Sequence, residues 1–161
     1  MIEDSGQSAL RRGRLGTAKQ AYSLTTALVG REPLLRVPEN ALVIVSSLQW
    51  LRKAERIVLH GYSVMPDHIH VVLTVLEPHE LPGVVHSIKS YTANQINRAS
   101  GRTGGLWQHG YYDHALRNDL AVVRHLRYVL ENPVRPGLAE RVGEHQFTRV
   151  FEGAAEDLDP W

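Results

Sequence analysis

The sequence predicts an α+β fold, an antiparallel sheet whose strands and helices alternate in one order, with one more helix after them. Three observations lead there. Ile57 to Val64 and Ile69 to Leu76 read as two strands joined at Pro66-Asp67, with residues of the second alternating between faces. Two longer segments, 38–51 and 81–99, repeat apolar residues at helical spacing. Glycine and proline clusters separate the periodic segments from one another.

The first strand is Ala21 to Val29, β-rich in Tyr, Leu, Thr and Val. Pro38-Glu39 opens the first helix, with Leu42, Val45, Leu48 and Leu51 as its apolar side. The two strands of 57–76 follow as a hairpin. The second helix runs from about Leu81 to Ala99, with Val84, Val85, Ile88, Tyr91 and Ile96 on its apolar side, and Gly101-Arg102-Thr103-Gly104-Gly105 ends it. Leu106 to Leu116 forms the fourth strand, rich in aromatic residues. Asp119 caps a third helix that Pro133 stops. The order β-α-β-β-α-β plus a C-terminal helix is ferredoxin-like, a sheet with two helices on one face.

At 161 residues the chain is expected to hold one structured domain, residues 17–151. Residues 1–16, with Arg11, Arg12 and Arg14, are expected to be a mobile basic arm. Residues 152–161 carry Glu152, Glu156, Asp157 and Asp159 with no Lys or Arg, and are expected to be an acidic tail without fixed structure. The chain has no cysteine, which excludes disulfides, zinc–thiolate centres and cysteine nucleophiles. No apolar run approaches a membrane span and the N-terminus lacks the pattern of a signal peptide, so a soluble cytoplasmic protein is expected. The net charge of +1 conceals that acidic tail, and 15 of the 18 basic residues are arginine, the side chain suited to phosphate.

The segment Met65-Pro66-Asp67-His68-Ile69-His70 carries the chemistry. Side chains alternate along a strand, so His68 and His70 share a face, while Ile69, Val71, Leu73 and Val75 point into the core. Two neighbouring imidazoles on a rigid strand form a preformed pair of ligands for a divalent metal. If two helices cover the apolar face, only the third helix can reach the histidines. On that helix Tyr128 and Asn132 lie one turn apart, offering a nucleophile and a further ligand together. The competing view is a core aromatic with its hydroxyl at the rim. Tyr91 with Gln95 repeats the spacing on the second helix, which the fold puts behind the sheet.

Three segments appear in order: the histidine segment; Trp107-Gln108-His109-Gly110-Tyr111-Tyr112-Asp113-His114 with Arg117; and Arg127-Tyr128-Val129-Leu130-Glu131-Asn132-Pro133-Val134-Arg135-Pro136-Gly137-Leu138. Together they closely resemble the REP-associated tyrosine transposases, relatives of the insertion-sequence Y1 transposases in the HUH nuclease superfamily. The resemblance covers about residues 20–140. It implies that His68 and His70 bind Mg²⁺ or Mn²⁺, with Asn132 as third ligand. It also implies that Tyr128 attacks single-stranded DNA beside a hairpin, at REP-like palindromes, through a 5′-phosphotyrosine. Arg11, Arg12, Arg14, Arg117 and Arg124 are then candidates for phosphate contacts, and Trp107, Tyr111 and Tyr112 for base stacking. His114 is expected to support the site. Monomer and homodimer are both compatible with the pattern.

Other phosphate chemistries fit less well. Histidine-triad hydrolases need a third alternate histidine, where this chain has Val72, and two-histidine phosphodiesterases need a second His-x-Thr/Ser motif, which is absent. A domesticated hairpin-binding protein that no longer cuts DNA is the rival of a different class. The intact His68, His70 and Tyr128 speak against it.

Overall fold

The computed structural model describes residues 18–151. The 1–16 arm, with Arg11, Arg12 and Arg14, and the 152–161 tail lie outside the described residues. The elements are β1 (Ala18–Ala27), α1 (Pro38–Lys53), β2 (Ile57–Val64), β3 (His68–Leu76), α2 (Leu81–Ser100), β4 (Tyr112–Leu116), α3 (Asp119–Glu131) and β5 (Thr148–Val150). All five strands join one antiparallel sheet in the order β4-β1-β3-β2-β5.

The central position of β3 follows from its composition. Seven consecutive residues, Ile69 to Val75, are buried, because this strand is covered on both faces. On one face Ile69, Val71, Leu73 and Val75 pack with Ile44, Leu48 and Leu51 of α1 and Val84, Val85 and Ile88 of α2. On the other, Val72 joins Ala21, Leu116 and the α3 residues Leu126 and Val129. The third helix therefore lies on the face that carries the histidines. Gly61 makes its close approach possible: a Cβ there would stand 2.6 Å from Leu126 Cδ2 and 3.0 Å from the Arg149 carbonyl oxygen.

Several sequence expectations need correction. The buried side of α1 is Ala41, Ile44, Leu48 and Leu51, with Leu42 exposed. Steps of three residues turn only 300°, so a Leu42-Val45-Leu48 series drifts off the face that a 3.6-residue helix maintains. On α2, Thr92 takes the buried position given to Tyr91, which is exposed. Thr92 can be buried because its hydroxyl donates to the Ile88 carbonyl at 2.7 Å. The fourth strand is only Tyr112–Leu116; the stretch before it is irregular, with a single bridge between Trp107 and Leu28. The cap of α3 is Asn118, whose side-chain oxygen accepts from the Ala121 N–H at 2.8 Å, leaving Asp119 in the first turn. The edge strand β5 has no counterpart among the elements read from the sequence. It is only three residues long, fixed where Thr148 and Ser63 hydroxyls meet at 2.7 Å.

Candidate active site

The histidine pair stands at the start of β3, in a row of side chains that crosses the sheet. His70 pairs with Ser63 of β2 and Thr25 of β1, and Thr25 pairs in turn with Tyr112 of β4. The Nε2 atoms of His68 and His70 face each other at 3.1 Å, their rings nearly perpendicular. The outer nitrogens are both engaged. His68 Nδ1 is 2.6 Å from Asp67 Oδ1, and His70 Nδ1 is 2.8 Å from Thr25 Oγ1. Asp67 is fixed from behind by Arg31, Nε to Oδ2 at 3.0 Å.

This network favours one tautomer of His68 and allows its match at His70. A carboxylate accepts only, so His68 donates from Nδ1 and turns its Nε2 lone pair toward its neighbour. Burial first, then the adjacent His68 and Arg31, lower the His70 pKa to about 4, so its imidazole is neutral at physiological pH. When His70 donates to Thr25, two lone pairs converge across 3.1 Å. Adjacent ligands of an octahedral cation, each about 2.1 Å from it, stand about 3.0 Å apart. The donor set therefore fits a small divalent ion. Among the described residues no group of three or more His, Asp or Glu side chains gathers for a metal. A third protein donor would have to be of another type, as an amide is.

Tyr128 comes to this pair from α3. Its ring stands edge-on to His70, centroids 5.6 Å apart and planes at 82°, and it is 41% exposed, open to a large substrate. Asn132 follows one turn later, its N–H donating to the Tyr128 carbonyl at 3.0 Å. Its side-chain amide nitrogen is buried and finds no hydrogen-bond partner among the described residues. Which amide atom is nitrogen follows from hydrogen bonding, so an amide with one atom unpartnered is compatible with a ligand or a substrate contact. The structure brings together His68, His70 and Tyr128 and leaves Tyr91 on α2, in a separate cavity lined by Trp50 and His86.

The remaining candidates divide. Trp107 is buried to 8% exposure, its indole N–H donating to Thr92 Oγ1 at 2.9 Å, so it is a core residue and not a stacking platform. Tyr111 packs against the same core, beside Lys89. Tyr112 is 83% exposed and lies in the cross-sheet row of His70, which suits it for stacking. Arg117 and Arg124 are exposed, the latter one turn before Tyr128. His114 lies in the neighbouring row, opposite Ser23, which pairs with Val72. It stacks on His125 of α3 with centroids 5.4 Å apart, joining that helix to β4.

Four residues at the site were not singled out from the sequence. Asp67 and Arg31 orient His68, Thr25 orients His70, and Arg135 places its guanidinium carbon 5.2 Å from the Tyr128 ring centroid. Asp67 was within reach, since it directly precedes His68, a candidate ligand. Thr25 was visible only after strand register was known.

Comparison with known proteins follows the same line. The family model described as "Transposase IS200 like" matches residues 24–132. A REP-associated tyrosine transposase of Escherichia coli K12 is 27% identical over 103 residues, 63% of this chain and 59% of that one. A Haemophilus influenzae protein provisionally assigned the same name is 25% identical over 107 residues, 60% of this chain and 61% of that one. The matched segment thus spans about three fifths of the length of these relatives. Among solved structures, a REP-associated tyrosine transposase bound to a REP hairpin superposes with a TM-score of 0.69 at 22% identity. That match covers 88% of this chain and 82% of the other, and speaks for the fold.

Proposed function

We propose, because the chain belongs to the IS200-like transposase family, that it cuts and rejoins single-stranded DNA beside a hairpin through a covalent bond to Tyr128. The observation that carries this reading is the edge-on meeting of Tyr128 with His70, whose Nε2 faces that of His68 at 3.1 Å. The proposed nucleophile, on an exposed ring of α3, thus stands against the proposed cation pair of β3. The REP hairpin held by the structurally similar transposase supports a hairpin-bearing substrate here too.

His68 and His70 would hold Mg²⁺ or Mn²⁺, with the Asn132 amide completing the protein's share. When bound, the ion supplies charge stabilisation to the oxygens of the scissile phosphate. Asp67 accepts from His68 Nδ1, and Thr25, when it accepts from His70 Nδ1, leaves both Nε2 lone pairs to the ion. The Tyr128 oxygen forms a bond to phosphorus as the bond from phosphorus to the 3′ oxygen breaks. The phenol proton leaves to solvent, and the departing oxygen ends as a free 3′-hydroxyl. A 5′-phosphotyrosine conserves the energy of the broken bond, so a 3′-hydroxyl can reverse the step and rejoin the strand without ATP. With one tyrosine, one cut is made at a time. Exposed Tyr112, Arg117 and Arg124 would guide the strand.

A denaturing gel tests this. Protein is incubated with Mn²⁺ or Mg²⁺ and labelled hairpin-bearing single strands from beside its own gene. A metal-dependent adduct resistant to denaturant is expected, and should vanish in Tyr128→Phe and in His68→Ala/His70→Ala. An adduct that survives in Tyr128→Phe would transfer the role to another tyrosine. Tight binding without adduct across several hairpins would favour a binding protein that does not cut.

A further inference from the structure

We propose that Arg135 is a further catalytic residue, whose guanidinium donates hydrogen bonds to the scissile phosphate as Tyr128 attacks it. The proposal rests on the nuclease reading above and adds a residue to its chemistry.

Three observations carry it. The Arg135 guanidinium carbon stands over the Tyr128 ring, 5.2 Å from its centroid, so this cation lies beside the proposed nucleophile. Its side chain is 62% exposed, and Glu131, its acidic partner among the described residues, holds it loosely. Nη2 is 3.8 Å from Oε2, beyond hydrogen-bonding distance, and an exposed pair of this kind contributes little. The backbone beneath it, by contrast, is fixed. The Val134 N–H donates to the Glu131 carbonyl at 3.0 Å, the Gly137 N–H to the Val134 carbonyl at 3.1 Å, and the Leu138 N–H to the Pro133 carbonyl at 2.9 Å. Pro133 and Pro136 stiffen the turn on either side, and Gly137 takes a φ of 77° that other residues rarely adopt. A fixed base thus carries an uncommitted tip.

Arg31 also stands near the site but is already engaged. Its Nε meets Asp67 Oδ2 at 3.0 Å, so a carboxylate faces its charge. Arg135 has the stronger claim on a new anion.

The chemistry suits a guanidinium. As the phenol oxygen bonds to phosphorus and the 3′ oxygen departs, negative charge develops on the phosphate oxygens. A planar fork of donors can reach two of them at once. Arg135 keeps its protons throughout and forms no covalent bond. His70 meets the Tyr128 ring edge-on and Arg135 lies over it. A phosphate brought to the phenol oxygen therefore meets the proposed ion and the guanidinium together.

The test removes charge from the substrate as well as from the protein. Hairpin-bearing single strands from beside the gene are made with one neutral methylphosphonate linkage, placed at each unpaired position in turn. Binding is measured by fluorescence anisotropy in chelator with Tyr128→Phe, so that affinity does not depend on cutting. Neutralising one linkage is expected to lower affinity about tenfold. In Tyr128→Phe/Arg135→Gln that linkage should no longer matter, with the others as before, and the gel with Mn²⁺ should map the cut to the same linkage. Arg135→Gln should slow adduct formation on ordinary strands about 100-fold, and Arg135→Lys should recover part of the loss. Arg135 is exposed, so both substitutions leave the fold intact. If Arg135 only held the ring in place, Arg135→Gln would slow the adduct but leave every linkage as sensitive as before. That result would overturn the proposal, as would an Arg135-dependent linkage away from the cut. An Arg135-dependent linkage in a protein that forms no adduct would instead sink the nuclease reading and leave the phosphate contact standing.

Discussion

His68 and His70 present their Nε2 atoms to each other at 3.1 Å because Asp67 and Thr25 hold the opposite ring nitrogens. Ordinary side-chain hydrogen bonding would give one of those inner nitrogens a proton and relax the pair. When His70 donates to Thr25, that option is gone and two lone pairs face each other across the gap.

Asp67→Asn should therefore weaken metal binding without removing a ligand. An amide can offer its N–H to His68 Nδ1 and so favour the wrong tautomer. Losses of about 10- to 100-fold in affinity are typical when such an orienting partner is changed. Calorimetric titration with Mn²⁺ checks this, and an affinity equal to that of the parent would remove Asp67 from the site's account.

Acid should destabilise the metal-free protein through His70. The unfolded chain takes up this proton near the ordinary value of 6.5, while the folded protein refuses it until about 4. The unfolded state thus binds more protons in that window, so stability falls as pH drops from about 6.5 toward 4, by up to about 3 kcal/mol. Urea unfolding in chelator measures the slope, and His70→Gln should flatten this share of it.

Gly61→Ala is expected to push α3 away from the sheet. The new methyl would meet Leu126 at 2.6 Å and a backbone oxygen at 3.0 Å. Overpacking of this kind costs about 1–3 kcal/mol. Adduct formation should drop as well, since Tyr128 rides on the displaced helix. Adding Leu126→Val should recover part of both losses, measured by urea melts and by the gel.

Two aromatic residues that look alike in sequence should behave oppositely. Trp107→Phe removes the N–H that reaches Thr92 and should lower stability by about 1–2 kcal/mol with DNA affinity unchanged. Tyr112→Ala should leave stability within about 0.5 kcal/mol, because the ring is exposed. Its DNA affinity should fall by the worth of one stacked base, about 1–3 kcal/mol. Thermal melts beside fluorescence anisotropy separate the two.

Much of this arrangement was legible in the residues themselves. Alternation along Ile69 to Val75 told which face of β3 met the helices, and hence which face carried His68 and His70. The meeting of Tyr128 with His70 followed from the order of elements, since only α3 was left for the open face. Trp107 escaped because an aromatic residue before a strand has the same local pattern whether it faces core or solvent. Only the partner Thr92, fifteen residues away on α2, decides the matter. Thr25 and Arg135 were hidden for a related reason: their contacts cross between elements, and no periodicity encodes strand register or the path of a chain after a helix. Strand β5 is too short to carry a period at all.

The place of β3 as third of five strands has a consequence for local opening. Its amides and carbonyls are bonded on both edges, to β1 and to β2. Hydrogen exchange should therefore be slowest along Ile69 to Val75, approaching the global unfolding limit, and faster at β4 and β5. The histidine pair then sits on the strand expected to open last. The tyrosine belongs to a helix seated through the smaller of two apolar clusters. Mild denaturant should release Tyr128 first, leaving the histidine pair in place on its strand.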